Sequence, residues 1–467
     1  MKPTTITCFA VLFMALVSCS KILDTKPTDF STPDQYYSTE SQLNDALAGV
    51  YTGLSNKYLY NGSYLFILNT GNDESWYRST TIAGPPVYTH DASNVDISGL
   101  WANLYDGINT ANALLENINK PEMDSTARKV IKGEALFLRA YYYFLLVQHW
   151  GDVPLKLTST TSPASNTFNL ARTPAKQVYE QIIADMITAE GLVKEITDYG
   201  YTGRVTKSAV QGMLARVCLY MAGEPVKDAT KYEQAAYWAN KVITSGKHSL
   251  NPDYKQIFIN EMQDKYDIKE CIWESEFYGN ETSASGGDTR TSGYVGIQVG
   301  VQCAILDSGY CYGTVMVHGL LYKSFDATDK RRDWEVAPYT YSGANKVAVA
   351  SNQYYTRFPG KWRREYETLV PRAKNACGTN FPILRYADVL LMKAEAENEV
   401  NGPAAGLPYL NQVRARAGIT QYVATDAAVN SKGNFLKTIQ TERYKELAFE
   451  GLRTTDLMRW GLLITNT

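Results

Sequence analysis

Within seven residues, Asn72-Asp73-Glu74-Ser75-Trp76-Tyr77-Arg78, the chain places two carboxylates, an amide, a hydroxyl, a guanidinium and two large aromatic faces. Side chains of these types stack on the apolar face of a ring while bonding its polar substituents, and loops on a rigid scaffold are where such residues tend to sit. Asp73, Trp76, Tyr77 and Arg78 are therefore candidate binding residues. Tyr310-Cys311-Tyr312 is a second candidate on the same grounds, with Tyr310 and Tyr312 as its contacts, and Trp334 and Trp362 are weaker ones. A third dense stretch runs from Glu442 to Gly461. Helical spacing sets Arg443, Glu446 and Glu450 along one face, and Arg453, Asp456 and Arg459 continue the charges past Gly451. Two carboxylates on one face suggest acid–base catalysis. Each acid, however, has a guanidinium at helical spacing, which keeps it ionised where a general acid needs a raised pKa. The expectation is an ion-pair network clamping the last helices to the core.

Other chemistry is absent from the pattern. There is no nucleophile elbow, P-loop, GxGxxG or HExxH. The four histidines (His90, His149, His248, His318) are scattered and no CxxC occurs, so neither a structural zinc site nor any cofactor is expected. With 46 Lys and Arg against 48 Asp and Glu, nothing in the charge favours nucleic acid. The excess lies in aromatics, with 34 Tyr, 8 Trp and 14 Phe, which suits wet interfaces and sugar rings as well as cores.

The amino terminus reads as an address. Lys2 precedes an apolar run over residues 6–17, too short to span a bilayer and shaped like a secretory signal over residues 1–18. Leu16-Val17-Ser18-Cys19 resembles the bacterial lipobox, which would make Cys19 the acylated first residue and residues 19–37 a lipid anchor and leash. Beyond Cys8 and Cys19 there are five cysteines, an odd and sparse set that is no disulfide framework. Cys303 and Cys311 are close enough in sequence to bridge if a hairpin allows it.

The scaffold that must position these residues is helical. Residues 133–155, GEALFLRAYYYFLLVQHWGDVPL, have no Gly or Pro from 134 to 147 and are apolar on nearly every face, so they form a central helix buried on several sides. Arg139 needs a partner there, with Glu134 or Asp152 as candidates, and the helix should stop near Trp150 because Gly151 offers a left-handed cap. Helical periodicity recurs at 38–54, 100–117, 177–194, 207–222, 232–244, 384–399 and 404–417. Breakers at Gly223-Glu224-Pro225 and Asn401-Gly402-Pro403 suggest helical hairpins of the tetratricopeptide kind. Residues 55–98 are a long polar and aromatic passage of the functional-loop type. Residues 245–382 are irregular, with β-prone runs at 270–274 and 294–297. The fold expected is mainly α: a tetratricopeptide-like helical-hairpin scaffold with a large loop-rich insertion carrying short strands. It forms one domain over 38–467, divided into an N-terminal helical part (38–244), the insertion (245–382) and a C-terminal helical part (383–467).

Several of these stretches share a resemblance. Residues 133–155 look like the most recognisable segment of the SusD/RagB family, and the stretch from Arg443 to Gly461 resembles that family's signature RxxELAFEGxRxxDLxRWG. Similar pieces are Leu321-Tyr322-Lys323-Ser324-Phe325 leading into Asp329-Lys330-Arg331-Arg332, and Phe381-Pro382-Ile383-Leu384-Arg385-Tyr386-Ala387-Asp388. Lys269-Glu270-Cys271-Ile272-Trp273-Glu274 is another, although the family often has Asn where this chain has Lys269. The resemblance implies a non-catalytic, lipid-anchored nutrient-binding protein on the outer face of the outer membrane. It would act as a lid for a SusC-like TonB-dependent transporter, handing over oligosaccharides or, in some members, peptides. A surface glycoside hydrolase and a purely structural helical adaptor are the rival readings. Family members usually continue past the residue equivalent to Gly461 with a Pro-containing segment, so the resemblance leaves open whether the end at Thr467 is native or truncated.

Overall fold

The computed structural model describes residues 36–79, 82–160, 170–279 and 292–465. Cys19 and the signal segment lie outside the described residues. Helix α1 (Glu40–Tyr51) opens on a capping box, in which Thr39 accepts from the Gln42 N–H and the Gln42 side chain returns to the Thr39 backbone. Helix α2 (Val95–Asn117) starts earlier than periodicity suggests, because Asn94 accepts from the N–H groups of Asp96 and Ile97 and so caps a polar first turn.

The central helix α3 (Ser125–Trp150) likewise extends upstream, to a cap on Asp124. Gly133 lies inside it, where an added Cβ would come within 2.8 Å of Leu192. Every residue from Gly133 to Val147 is buried, and Gly151 (φ +65°) ends the helix by donating to the Val147 carbonyl. Arg139 does not pair with either expected acid. Its Nε and Nη2 bond the two Asp185 oxygens at 2.8 and 2.9 Å, and its Nη1 bonds Asn112 Oδ1 at 2.9 Å. Five residues apart on a helix, Glu134 and Arg139 face different neighbours. Glu134 instead receives Arg204 through two bonds of 2.7 Å, and Asp152 caps the next helix at Ala175 N.

That next helix, α4 (Ala175–Glu190), packs on α3, and α5 (Lys207–Ala222) and α6 (Lys231–Thr244) follow in the same manner. The frame then resumes: α8 (Tyr386–Asn401) packs on α6 and carries α9 (Pro403–Ala417) and α10 (Lys432–Glu446), with α11 (Arg453–Arg459) last. The intervening stretch contains α7 (Tyr254–Met262) and most of the strands. At its neck, β2 (Cys271–Ser275) pairs antiparallel with β6 (Phe381–Arg385). The fold is thus mainly α, a tetratricopeptide-like scaffold with an insertion carrying short strands. The β-prone run at 294–297 is instead a helical turn, Val295–Gln298, and Gly296 within it lies where a Cβ would meet the Arg364 side chain at 2.8 Å.

Close approach also explains Gly107. Its Hα faces the Tyr142 ring, whose hydroxyl donates to the Val50 carbonyl at 2.5 Å, and a Cβ there would sit 2.5 Å from the ring. Gly107→Ala should therefore destabilise the protein by about 1–3 kcal/mol in urea unfolding, although alanine normally favours a helix interior by about 1 kcal/mol.

Candidate ligand-binding site

The two stretches singled out for their aromatic and polar side chains meet. β1 (Ser75–Tyr77) pairs antiparallel with β3 (Val315–Val317), setting Trp76 opposite Met316 and Tyr77 opposite Val315. The ladder extends one step further, with Arg78 N donating to the Thr314 carbonyl at 2.8 Å. Arg78 then reaches a residue 234 positions away: Nη2 donates to the Tyr312 carbonyl at 3.0 Å, and Nη1 to Gln302 Oε1 at 2.9 Å. The Tyr310 and Tyr312 rings stand 5.1 Å apart at 88°. Tyr312 Oη donates to Asn375 Oδ1 at 2.8 Å, and Lys374 Nζ lies 5.2 and 5.9 Å from the two ring centres. Backbone bonds hold the loop: Cys303 and Cys311 exchange N–H···O bonds of 2.9 Å, and Arg364 donates to the Tyr310 carbonyl at 2.7 Å. The Cys303 and Cys311 thiols are free and buried.

Strand alternation divides the labour on β1. Trp76 is half-buried against a small cluster of Val301, Met316, Ala337, Tyr339 and Phe358, and Tyr77 is half-buried on the opposite face. Arg78 is exposed, its guanidinium 5.7 Å from the Phe358 ring centre. The residues just before the strand face inward. Asp73 takes two bonds from Arg453, at 2.8 and 2.6 Å, and its carbonyl accepts from Tyr444 Oη. Burial raises the Glu74 carboxyl to about 8, although Phe449 N donates to it and Arg453 and Lys361 are near. Asp73 and Glu74 thus tie the loop to the C-terminal helices, and Arg78 is the exposed residue at the strand's end.

Two sequence families match the chain. One, SusD-like and described as starch-binding and associating with the outer membrane, covers residues 21–219, and the SusD family covers residues 338–467. A SusD-like protein of Formosa agariphila is 25% identical, over 99% of this chain and 91% of the relative. The crystal structure of a SusD homolog from Bacteroides thetaiotaomicron is 28% identical, with a TM-score of 0.84 over 93% of this chain and 88% of that one. This chain belongs to the SusD/RagB family. A laminarin-binding SusD-like protein shares the fold, with a TM-score of 0.75 and 24% identity over 92% of this chain and 93% of that one.

The SusD-like motifs, far apart in sequence, supply two buried ion-pair clusters. Arg385 bonds Glu270, Glu446 and Glu450, while Arg331 bonds Asp329, Glu442 and Glu446. Arg443 bridges Asp388 and Asp456, and Arg459 bridges Asp456 and Glu395. Burial alone would raise the Glu446 carboxyl, but Arg416, Arg385, Arg331 and Lys361 outweigh it and hold it at about 2. Asp456 is likewise buried and is held low by Arg443 and Arg459. Carboxylates held this low do not serve as general acids, in keeping with a family of binding proteins.

Some aromatic residues fall elsewhere than expected. Trp334 and Trp362 are 2% and 1% exposed and belong to the core, so they are no ligand platforms. Trp101 and Trp150 are half-buried and touch each other edge to face at 5.3 Å. Among the described residues Glu261, Cys271 and Glu274 have ligating atoms within 4.8 Å of one another. The Cys271 thiol donates to Glu274 Oε2 at 3.2 Å, and burial raises both carboxyls, so this cluster is consistent with one that holds protons. Sequence reasoning missed Gln302, Lys374 and Asn375, which carry no local signal. It also missed Tyr339 and Tyr341, where a signal was present: alternating residues around Gly343 mark the hairpin of β4 (Tyr339–Ser342) and β5 (Asn345–Ala348).

Proposed function

We propose that this protein is a surface lipoprotein, anchored through Cys19, that binds oligosaccharides without altering them and delivers them to a SusC-like TonB-dependent transporter. The observation that carries the binding reading is the pairing of β1 with β3, which brings Arg78 to Tyr312 and so sets a guanidinium beside the Tyr310 and Tyr312 rings, with Trp76 two residues away on the same face of the strand. Such a surface offers flat faces for the CH side of a sugar and donors for its hydroxyls. Family membership supports the outer-membrane and transporter parts, and the description of the matching family as starch-binding supports the ligand class.

Calorimetry against oligosaccharides and peptides tests the reading directly. Oligosaccharide affinities in the micromolar to millimolar range, about −4 to −8 kcal/mol, are expected. Tyr312→Ala and Trp76→Ala should each weaken binding about tenfold or more with the melting temperature nearly unchanged for Tyr312→Ala. Binding confined to peptides, or release of reducing ends from the ligand, would refute the non-catalytic glycan reading. Unchanged affinity in both variants would place the site elsewhere. Co-purification from the outer membrane with a TonB-dependent transporter tests the delivery step.

A further inference from the structure

Charges around the candidate site are unevenly matched. Two of the acids around it are neutralised: Asp73 pairs with Arg453, and Glu365 takes Lys346 at 2.7 Å and the Tyr341 hydroxyl at 2.8 Å. Arg78 and Lys374 have no carboxylate partner among the described residues. Both are exposed, and both border Tyr312, Arg78 at its carbonyl and Lys374 at its ring. Other cations near the site have a carboxylate: Arg364 pairs with Glu367 at 2.7 Å, and Arg372 lies 4.0 Å from the same carboxylate while donating to the carbonyls of Asp307, Glu365 and Glu367.

The way Arg78 is held matters. Its two bonds run to neutral acceptors, the Gln302 side-chain oxygen and the Tyr312 carbonyl, so the guanidinium plane is fixed without its charge being cancelled. Of the five N–H donors a guanidinium carries, three remain for a ligand. Lys374 is held in a similar way, against two aromatic rings instead of an acid. A neutral sugar seated on Tyr310 and Tyr312 would strip water from both cations and return no charge. An anionic substituent would return charge-assisted bonds, which are about twice as strong as neutral ones.

We propose, building on the oligosaccharide-binding reading above, that this site selects acidic glycans, with a carboxylate or sulfate on one sugar received between Arg78 and Lys374 over Tyr312. The net charge of the whole chain is only −2, so this attraction is local to the site.

Titration calorimetry in about 50 mM salt, with a neutral, a uronate-containing and a sulfated oligosaccharide of equal length, tests it. At least one charged ligand should bind about tenfold tighter than the neutral one, and the preference should shrink as salt rises to about 500 mM. The charged ligand that wins identifies the anion. Arg78→Gln and Lys374→Gln should each cut the ratio of charged to neutral affinity by about fivefold. Neutral binding as tight as both charged ligands, or a ratio unmoved by both substitutions, overturns the inference while leaving a glycan site standing. Absence of binding to all three overturns the oligosaccharide reading as well.

Discussion

Replacing Arg385 with Met is expected to remove about 3–5 kcal/mol of stability, much of what a domain of this kind has. Arg385 is fully buried. Its Nη1 bonds Glu270 at 3.0 Å and Glu446 at 3.1 Å, its Nη2 bonds Glu450 at 2.6 Å, and its Nε bonds Glu450 again at 2.9 Å. Methionine roughly fills the space but leaves three buried carboxylates short of one cation, and Arg331, Arg416 and Lys361 are already engaged with these acids. Removing one partner from such a network costs far more than the net worth of the pair, because the remaining charge stays out of water. The contrast is Lys227→Ala, which breaks an exposed pair with Glu224 and should change stability by less than about 0.5 kcal/mol. Urea unfolding of both variants measures the difference. A loss below about 1 kcal/mol for Arg385→Met would mean that the network does not hold the C-terminal helices as described.

Stability should peak near about pH 4.5 and fall away on both sides. On the acid side, Glu446 and Asp388 are buried but are held at about 2 by surrounding cations, Arg416 and Arg385 foremost for the first and Arg443 and Arg216 for the second. Between about pH 2 and 4 the folded protein therefore binds fewer protons than the unfolded chain. Stability rises with pH across that window and is lost as pH falls through it, by about 3 kcal/mol per pH unit for two such groups. His149 and His248 are pushed down to about 4 by burial, so they favour folding as pH rises from 4 to their ordinary 6.5. Glu74 and Glu335 act in the opposite sense. Burial raises both to about 8, so the folded state keeps protons that the unfolded chain releases above 4.5, and stability falls as pH rises toward 8. Glu261 and Glu274 are raised by burial as well, so the carboxyls outweigh the two histidines and stability declines from about pH 4.5 upward, and above about pH 6.5 only the carboxyls remain. Guanidinium midpoints measured from pH 3 to 8.5 give the curve, and Glu335→Gln should flatten its alkaline limb. A midpoint that climbs steadily from pH 5 to 8 would contradict the assignment.

Legibility varied by element, and the variation has causes. Residues 207–222 were placed to the residue as α5, because a periodic run between Thr206 and Gly223 carries its own start and stop. The end of the central helix at Gly151 was equally readable, whereas its start at Ser125 lay upstream of the apolar run. The turn at 294–297 was misread as extended, since β-prone side chains cannot report that Arg364 packs against Gly296. Arg139 shows the same limit. That it needed a buried partner followed from its surroundings in sequence, whereas Asp185 became that partner only when α4 docked on α3.

The candidate site divides along the same line. Side-chain chemistry marked Trp76, Tyr77, Arg78, Tyr310 and Tyr312 separately, but nothing local joined them, and Asp73 looked as available as its neighbours. Pairing of β1 with β3 decided that Arg78 meets Tyr312, and docking of α11 decided that Asp73 faces Arg453. Sequence by itself determined the helical scaffold, its caps and breaks, and the acids and arginines that had to be paired, because these depend on neighbours within a few turns of chain. Tertiary structure alone decided which charges pair and which cations stay uncancelled, because an ion pair is set by distance in space, and residues hundreds of positions apart share no local signal.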